Sequence, residues 1–166
     1  MTPTEIILHA SATRPEWLKS RPLSRKIAEI DSWHRDRGFR KIGYHWIVDR
    51  TGEVLPGRPE TEQGAHVKGR NSQSLGICLI GGFGGAATDK FNDHFTAAQR
   101  IALTDLIADI QTRHKLTKLS GHNEYANKGC CCFDARSEFS LRPAPKAQTS
   151  AFAAIIAAIL RLFTKG

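Results

Sequence analysis

The chain has 166 residues, of which 40% are hydrophobic and 24% charged, so it can bury the core of one domain and has little room for a second. Its 24 Lys and Arg residues exceed its 16 Asp and Glu residues by 8, so we expect an anionic partner. We expect no nucleic-acid binding, because basic and aromatic residues are not interleaved and no nucleic-acid motif is present.

The two ends of the chain differ in composition. Residues 1–8 lack the basic and then apolar order of a secretory signal, so we expect synthesis in a cytoplasm and export by another route. No acidic residue follows Glu138, and two prolines stiffen the stretch at 142–145, which precedes an apolar segment. We therefore predict a domain at 1–141, a linker at 142–150 and a C-terminal helix at 151–166.

The first predicted elements are a strand and a helix. Residues 5–10 are a short apolar run that indicates a buried strand, with His9 at its exit. Apolar residues at helical spacing predict a helix over 24–38. Ser24 is the expected N-cap of this helix, and Gly38 is the expected stop.

A hairpin, a strand and a loop are predicted next. Residues 43–48 and 54–55 flank an Asp-Arg-Thr-Gly turn, which favours a hairpin because glycine supplies the positive φ that the turn needs. Residues 74–80 have the pattern of a central strand. The glycine-rich stretch at 81–93 is expected to be a loop.

The last elements of the domain are a helix and a strand. Thr96 and Gln99 have the spacing of a capping box, and the helix that follows is expected to end near His114. Residues 118–121 return as a strand, which places His122 just beyond it. Strands separated by helices predict an α/β fold with a mixed central sheet flanked by helices.

The distribution of cysteine and histidine indicates a metal site. The cysteines are Cys78 and the run 130–132, which is a poor framework for disulfides because adjacent residues bridge only with strain. A catalytic zinc ion takes about three nitrogen or sulfur ligands and leaves one position open. His9, His122 and Cys130 offer such a set. Taken singly, a histidine at a strand end is more often structural or exposed.

Four stretches in order resemble a known family. They are LHASAT at 8–13, IGYHWIVDRTGEVLPGRP at 42–59, GAHVKGRNSQSLGICLIGG at 64–82 and GHNEYANKGCCCFD at 121–134. The chain resembles the type 2 N-acetylmuramoyl-L-alanine amidases, especially their T-odd coliphage lysozyme branch, and the related peptidoglycan recognition proteins. The likeness runs from about residue 5 to residue 141.

The resemblance implies a zinc enzyme that cuts the amide bond between N-acetylmuramic acid and the L-alanine of the stem peptide. It implies one Zn²⁺ held by His9, His122 and Cys130, with Tyr44 and Lys128 as catalytic residues. A water activated by zinc would attack the carbonyl, while the Lys128 cation and the Tyr44 hydroxyl stabilise the oxyanion or orient the water. The main alternative is a recognition module that binds peptidoglycan without cutting it, and the presence of all five residues favours catalysis.

One departure from the family leaves the third ligand open. Relatives usually have proline after the ligand cysteine, whereas this chain has Cys131 and Cys132. If the segment is extended, Cys130 and Cys132 point the same way, so Cys132 is the competing ligand. The offset from Lys128 favours Cys130.

The remaining polar residues have weaker assignments. His66, Lys68 and Asn71 lie in a basic, polar stretch that either receives the stem peptide or the glycan or is an ordinary solvated loop. His45 is expected in the core or behind the ligands because strand alternation turns it away from the face of Tyr44. The other expectations are exposure for His34 and His94 and a buried, hydrophobic role for Cys78.

The biological setting follows from the resemblance and the tail. We expect a monomeric phage endolysin that is made in the host cytoplasm, reaches the cell wall after release and degrades peptidoglycan; a role in bacterial wall recycling is the alternative. The apolar segment at 151–163 is shorter than the roughly 20 residues that cross a bilayer. With its neighbouring basic residues it either lies on an anionic membrane or docks onto the domain or another copy.

Overall fold

The computed structural model describes residues 1–141, so the linker predicted at 142–150 and the helix predicted at 151–166 lie outside the described residues. Five strands form one mixed sheet in the order β3-β2-β4-β1-β5. They are β1 (Glu5–Ala10), β2 (Trp46–Val48), β3 (Val54–Pro56), β4 (Ser74–Leu79) and β5 (Lys118–Gly121). β1 is parallel to β4 and β5, β2 is parallel to β4, and β3 is antiparallel to β2. The predicted mixed sheet is confirmed.

Helices cover both faces of this sheet. They are α1 (Leu23–Asp36), α2 (Phe91–His94), α3 (Ala97–Arg113) and α4 (Ala135–Glu138), with a 3₁₀ turn at His122–Glu124. Ile6, Leu8 and Ala10 of β1 share one core with α3, while a second core joins α1 to Cys78. Because side chains alternate along a strand, His9 projects from the face that α1 covers.

The helix termini test the predicted caps. Thr96 accepts a hydrogen bond from the Gln99 amide, and the Gln99 side chain accepts one from the Thr96 amide, so the capping box is confirmed. Gly38 has φ +83°, which suits the predicted helix stop. Ser24 as the N-cap is wrong, since Pro22 occupies that position without a side-chain cap. The earlier start places Leu23 in the core, where it is fully buried.

Two element bounds differ from those predicted. The strand expected over 43–48 begins only at Trp46, so the three residues at 43–45 lie outside any strand or helix. The loop expected over 81–93 includes the start of α2, which buries Phe91 against other aromatic rings. Four residues are too few for helical periodicity to reveal such a helix. No helix within residues 1–141 is long and apolar enough to span a membrane.

Candidate metal centre and cleft

Three side chains that can bind a metal converge at the carboxyl end of β1. His9 is the fifth residue of β1, His122 begins the 3₁₀ turn that follows β5, and Cys130 lies in the next loop. One donor atom of each residue lies within 4.8 Å of the others. The parallel pairing of β1 and β5 explains the convergence, because both strands end at the same edge of the sheet.

The electrostatics of this cluster suit a cation. Burial holds the pKa of His9 well below its ordinary value, and the neighbouring imidazoles of His66 and His122 lower this pKa further. The His9 ring is therefore neutral and has a lone pair that can bind a metal. Burial raises the pKa of the Cys130 thiol, and the Ala10 amide and the Lys128 cation oppose this rise. A bound dication would favour the thiolate strongly, so two imidazoles and a thiol fit a divalent metal such as zinc.

The other two cysteines of the run point elsewhere. The Sγ atom of Cys132 lies 3.3 Å from the Gly82 carbonyl, and that of Cys131 lies 3.6 Å from the Phe133 carbonyl. Both side chains are buried. The assumption of an extended segment is wrong, because Cys132 has φ +74° and its amide bonds back to the Gly129 carbonyl in a turn. Within the described chain, Cys130 is the sulfur that approaches both histidines.

A cleft of about 310 Å³ opens beside the cluster. Tyr44 and Lys128 both line it, and the Tyr44 ring centroid lies 5.0 Å from that of His9. Burial raises the pKa of Tyr44 well above its ordinary value, so the phenol stays protonated. Lys128 is exposed and close enough to lower the pKa of His122, although burial is the larger cause of that shift.

The remaining cleft wall is cationic and aromatic. Arg37, Phe39 and Tyr125 belong to it and were missed by sequence reasoning, because no local pattern distinguishes them from solvated residues. Together with Lys68 and Lys128, Arg37 makes the wall positively charged, and no carboxylate lines it in the part of the chain that the structure describes. The cleft therefore suits an anionic ligand.

The three weaker binding candidates occupy different environments. Lys68 is exposed at the cleft. Asn71 caps the loop from within, since its Oδ1 atom accepts hydrogen bonds from the backbone amides of His66 and Val67. His66 also lines the cleft, and its Nδ1 atom lies 3.0 Å from His9 Nε2. Burial lowers the pKa of His66 to about 3.

Other polar predictions have mixed outcomes. The expected exposure of His34 is wrong, because its side chain is buried and its Nδ1 atom accepts a hydrogen bond from the Gly43 amide. His94 is half-buried rather than exposed and bonds to Asp89. His45 is buried, bonds to the Gly76 amide and is not one of the three convergent donors.

Comparisons with known proteins agree with this geometry. A family model described as N-acetylmuramoyl-L-alanine amidase matches residues 1–132. The chain belongs to this family. The amidase is 37% identical over 131 residues to the endolysin of Escherichia phage T7, an alignment that covers 79% of this chain and 82% of the relative. It is 36% identical over 135 residues to the endolysin of Enterobacteria phage T3, with 81% and 84% covered.

Solved structures resemble the amidase over most of its length. An N-acetylmuramoyl-L-alanine amidase from Clostridium intestinale superposes with a TM-score of 0.67 at 25% identity, over 83% of this chain and 82% of that one. Human PGRP-IBETAC in complex with glycosamyl muramyl pentapeptide gives a TM-score of 0.64 at 26% identity, over 77% and 76%. The predicted family and fold class are confirmed, and the protein is a peptidoglycan amidase.

Proposed function

We propose that this peptidoglycan amidase is zinc-dependent, with His9, His122 and Cys130 as the metal ligands. The observation that supports this most directly is the convergence of the three donor atoms beside an open cleft. Zinc, when bound, supplies Lewis-acid polarisation of a carbonyl and activation of a water molecule. Two imidazoles and one thiolate leave a fourth position for that chemistry, as catalytic zinc sites require.

Tyr44 and Lys128 are the proposed catalytic side chains. The Tyr44 phenol remains protonated and can donate a hydrogen bond to the oxygen on which negative charge develops. The Lys128 ammonium group lies on the same cleft and can stabilise that charge. Lys68 and Arg37, which also line the cleft, would attract the carboxylates of the stem peptide. These cations make the proposed substrate-binding surface positive, in line with the net charge of +8.

The proposed biological role is that of an endolysin in phage-induced host lysis. The supporting observation is the similarity to endolysins of phages T7 and T3 over about four fifths of each chain. In this role the protein would be made in the host cytoplasm and would act on the cell wall after release. We also propose that the protein is a monomer and that its basic, apolar tail binds anionic membranes.

The metal assignment is tested by elemental analysis of the purified protein and three variants. We expect one zinc per wild-type chain, loss of zinc in Cys130→Ser and retention in Cys132→Ser, because the Cys132 sulfur points to Gly82. Lys128→Ala should keep zinc yet hydrolyse wall about 10²–10³-fold more slowly, the usual cost of removing one oxyanion-stabilising group.

Activity in this test is measured as release of new amino-terminal alanine from purified peptidoglycan, which distinguishes amide cleavage from simple binding. A fully active wild type without metal would contradict the zinc proposal. Loss of zinc in Cys132→Ser instead of Cys130→Ser would move the ligand to the other sulfur. Binding of peptidoglycan without release of alanine would indicate a recognition module.

A further inference from the structure

His66 contacts the ring nitrogen of His9 that is not the one nearest Cys130. His9 Nδ1 is the ring nitrogen nearest Cys130, with the sulfur 4.0 Å away. The opposite nitrogen, His9 Nε2, lies 3.0 Å from His66 Nδ1. The two rings meet edge to face, at an interplanar angle of 88°.

The hydrogen bond between these rings selects a tautomer. If His9 presents the Nδ1 lone pair to a metal, its proton must be on Nε2, which then donates to His66 Nδ1. His66 must in turn carry its own proton on Nε2. The His66 Nε2 atom is buried and has no hydrogen-bond partner among the described residues, so the contact with His9 is the hydrogen bond that orients this ring.

Two glycines make room for the His66 ring, and the close packing around it leaves the ring little freedom to move. A Cβ atom added to Gly76 would lie 2.7 Å from His66 Cγ, and one added to Gly64 would lie 2.6 Å from His66 Cδ2. Any larger residue at either glycine would therefore displace the ring. The loop is fixed as well, because Asn71 Oδ1 accepts hydrogen bonds from the backbone amides of His66 and Val67 at 2.8 and 2.9 Å.

We propose that His66 is a positioning residue that holds the His9 ring with Nδ1 directed at the metal. The inference rests on the proposed zinc site and adds a residue behind its ligands. Histidine ligands generally donate their second ring N–H to a fixed acceptor, which sets the tautomer and orientation of the ring. Here the acceptor is an imidazole 57 residues away in sequence.

The test measures zinc affinity by competition with a chelator. His66→Leu removes the acceptor, and we expect the zinc dissociation constant to rise about 10–100-fold, the usual effect of losing such a partner. His66→Asn should recover most of the affinity because its Oδ1 atom can take the place of Nδ1. The matched control is His114→Asn, which alters a half-buried histidine that bonds to Glu60, does not line the cleft and is not a proposed ligand. It should leave zinc affinity unchanged.

Cobalt substitution gives a readout that does not depend on hydrolysis. In the Co²⁺-loaded protein, His66→Leu should alter the visible ligand-field bands, whereas His66→Asn and His114→Asn should resemble the wild type. Far-UV circular dichroism of the metal-free variants verifies that each one folds. If His66→Leu fails to fold, His66→Asn and His66→Gln are compared, since Gln places its amide differently and should bind zinc more weakly than Asn.

The outcomes separate this inference from the proposed function. Wild-type zinc affinity and an unchanged cobalt spectrum in His66→Leu would overturn the positioning role while leaving the zinc site intact. A rise in KM alone, with unchanged zinc affinity, would identify His66 as a substrate-binding residue and would also overturn it. Absence of zinc binding by the wild type would instead defeat the zinc proposal itself.

Discussion

Burial determines the chemistry of individual histidines in this amidase. His9, His34 and His66 all have lowered pKa values, and desolvation is the largest cause for each. Neutral rings can accept hydrogen bonds or bind metal, whereas protonated rings cannot. In this neutral state His34 Nδ1 accepts a hydrogen bond from the Gly43 amide at 2.7 Å, which fixes the backbone just before Tyr44. A residue outside the metal cluster therefore helps to place a proposed catalytic group.

His34 should make the metal-free protein sensitive to acid. Burial lowers its pKa from an ordinary 6.5 to about 4, with further lowering from nearby Arg37 and Arg58. Between these values the unfolded chain binds a proton that the folded chain does not, so stability falls as the pH falls from 6.5 towards 4. His34→Asn, which keeps an acceptor but cannot titrate, should reduce the pH slope of the unfolding free energy by up to about 1.4 kcal/mol per unit.

This prediction is measured by urea unfolding between about pH 7 and pH 4. The difference in stability between the variant and the wild type should be constant near pH 7 and should shift in favour of the variant as the pH falls. A constant difference over the whole range would show that His34 does not contribute.

At the level of elements, one buried ion pair ties α1 to the end of β2. Lys26 Nζ lies 2.6 Å from Asp49 Oδ1, and the two side chains are only 3% and 4% exposed. Asp49 also accepts a hydrogen bond from Thr51, so both carboxylate oxygens have partners. The pair lies on the α1 face, the side of the sheet from which His9 projects, and holds α1 in register with the hairpin.

Breaking this pair from one side should be costly. Lys26→Met leaves the Asp49 carboxylate buried without its cation, and we expect a loss of about 3–5 kcal/mol in the free energy of unfolding. The double variant Lys26→Met with Asp49→Asn removes both charges and keeps an acceptor for Thr51, so it should recover much of this loss. Chemical denaturation of both variants measures the effect, and equal stability of the two would argue against an uncompensated buried charge.

For the whole molecule, the described domain and the remaining residues have distinct proposed tasks. Cleft and metal cluster both lie within residues 1–141, and Leu141 still packs against the core. The tail contributes Arg142, Lys146, Arg161 and Lys165 without any acid, which is half of the net charge of +8. Hydrolysis should therefore reside in the domain, and membrane attraction in the tail.

Truncation after Leu141 tests this division. The shortened protein should hydrolyse purified peptidoglycan at the wild-type rate but should lyse intact Gram-negative cells more slowly. Because each basic residue near an anionic surface contributes about 1 kcal/mol, replacing the four tail cations by Gln should also weaken binding to anionic vesicles by on the order of a hundredfold or more.

Equal lysis of intact cells by the full and shortened chains would contradict the proposed membrane role of the tail. Light scattering tests the proposed monomer with and without the tail, and a dimer found only in the full chain would indicate that the tail joins two copies.

Local sequence patterns predicted much of the fold. The apolar run at 5–10 and the capping box at Thr96 depend on neighbours a few residues away, so they could be read directly. The mixed sheet followed from the alternation of such elements. The ligand set and the roles of Tyr44 and Lys128 came instead from resemblance to a family, because single histidines and lysines have no diagnostic local pattern.

Tertiary structure alone decided how distant residues meet. The turn at Cys132 directs its sulfur to Gly82, which distinguishes it from Cys130 although the two are separated by one residue. The contact between His9 and His66 joins residues 57 apart and needs the space that Gly76 leaves on β4. The sequence thus named His9, His122 and Cys130 as candidate ligands and left Cys132 as a competitor, whereas packing brings the Cys130 sulfur to the two histidines and His66 to His9. Periodicity reports which face of one element is buried, but only the packed sheet determines which side chains share that face.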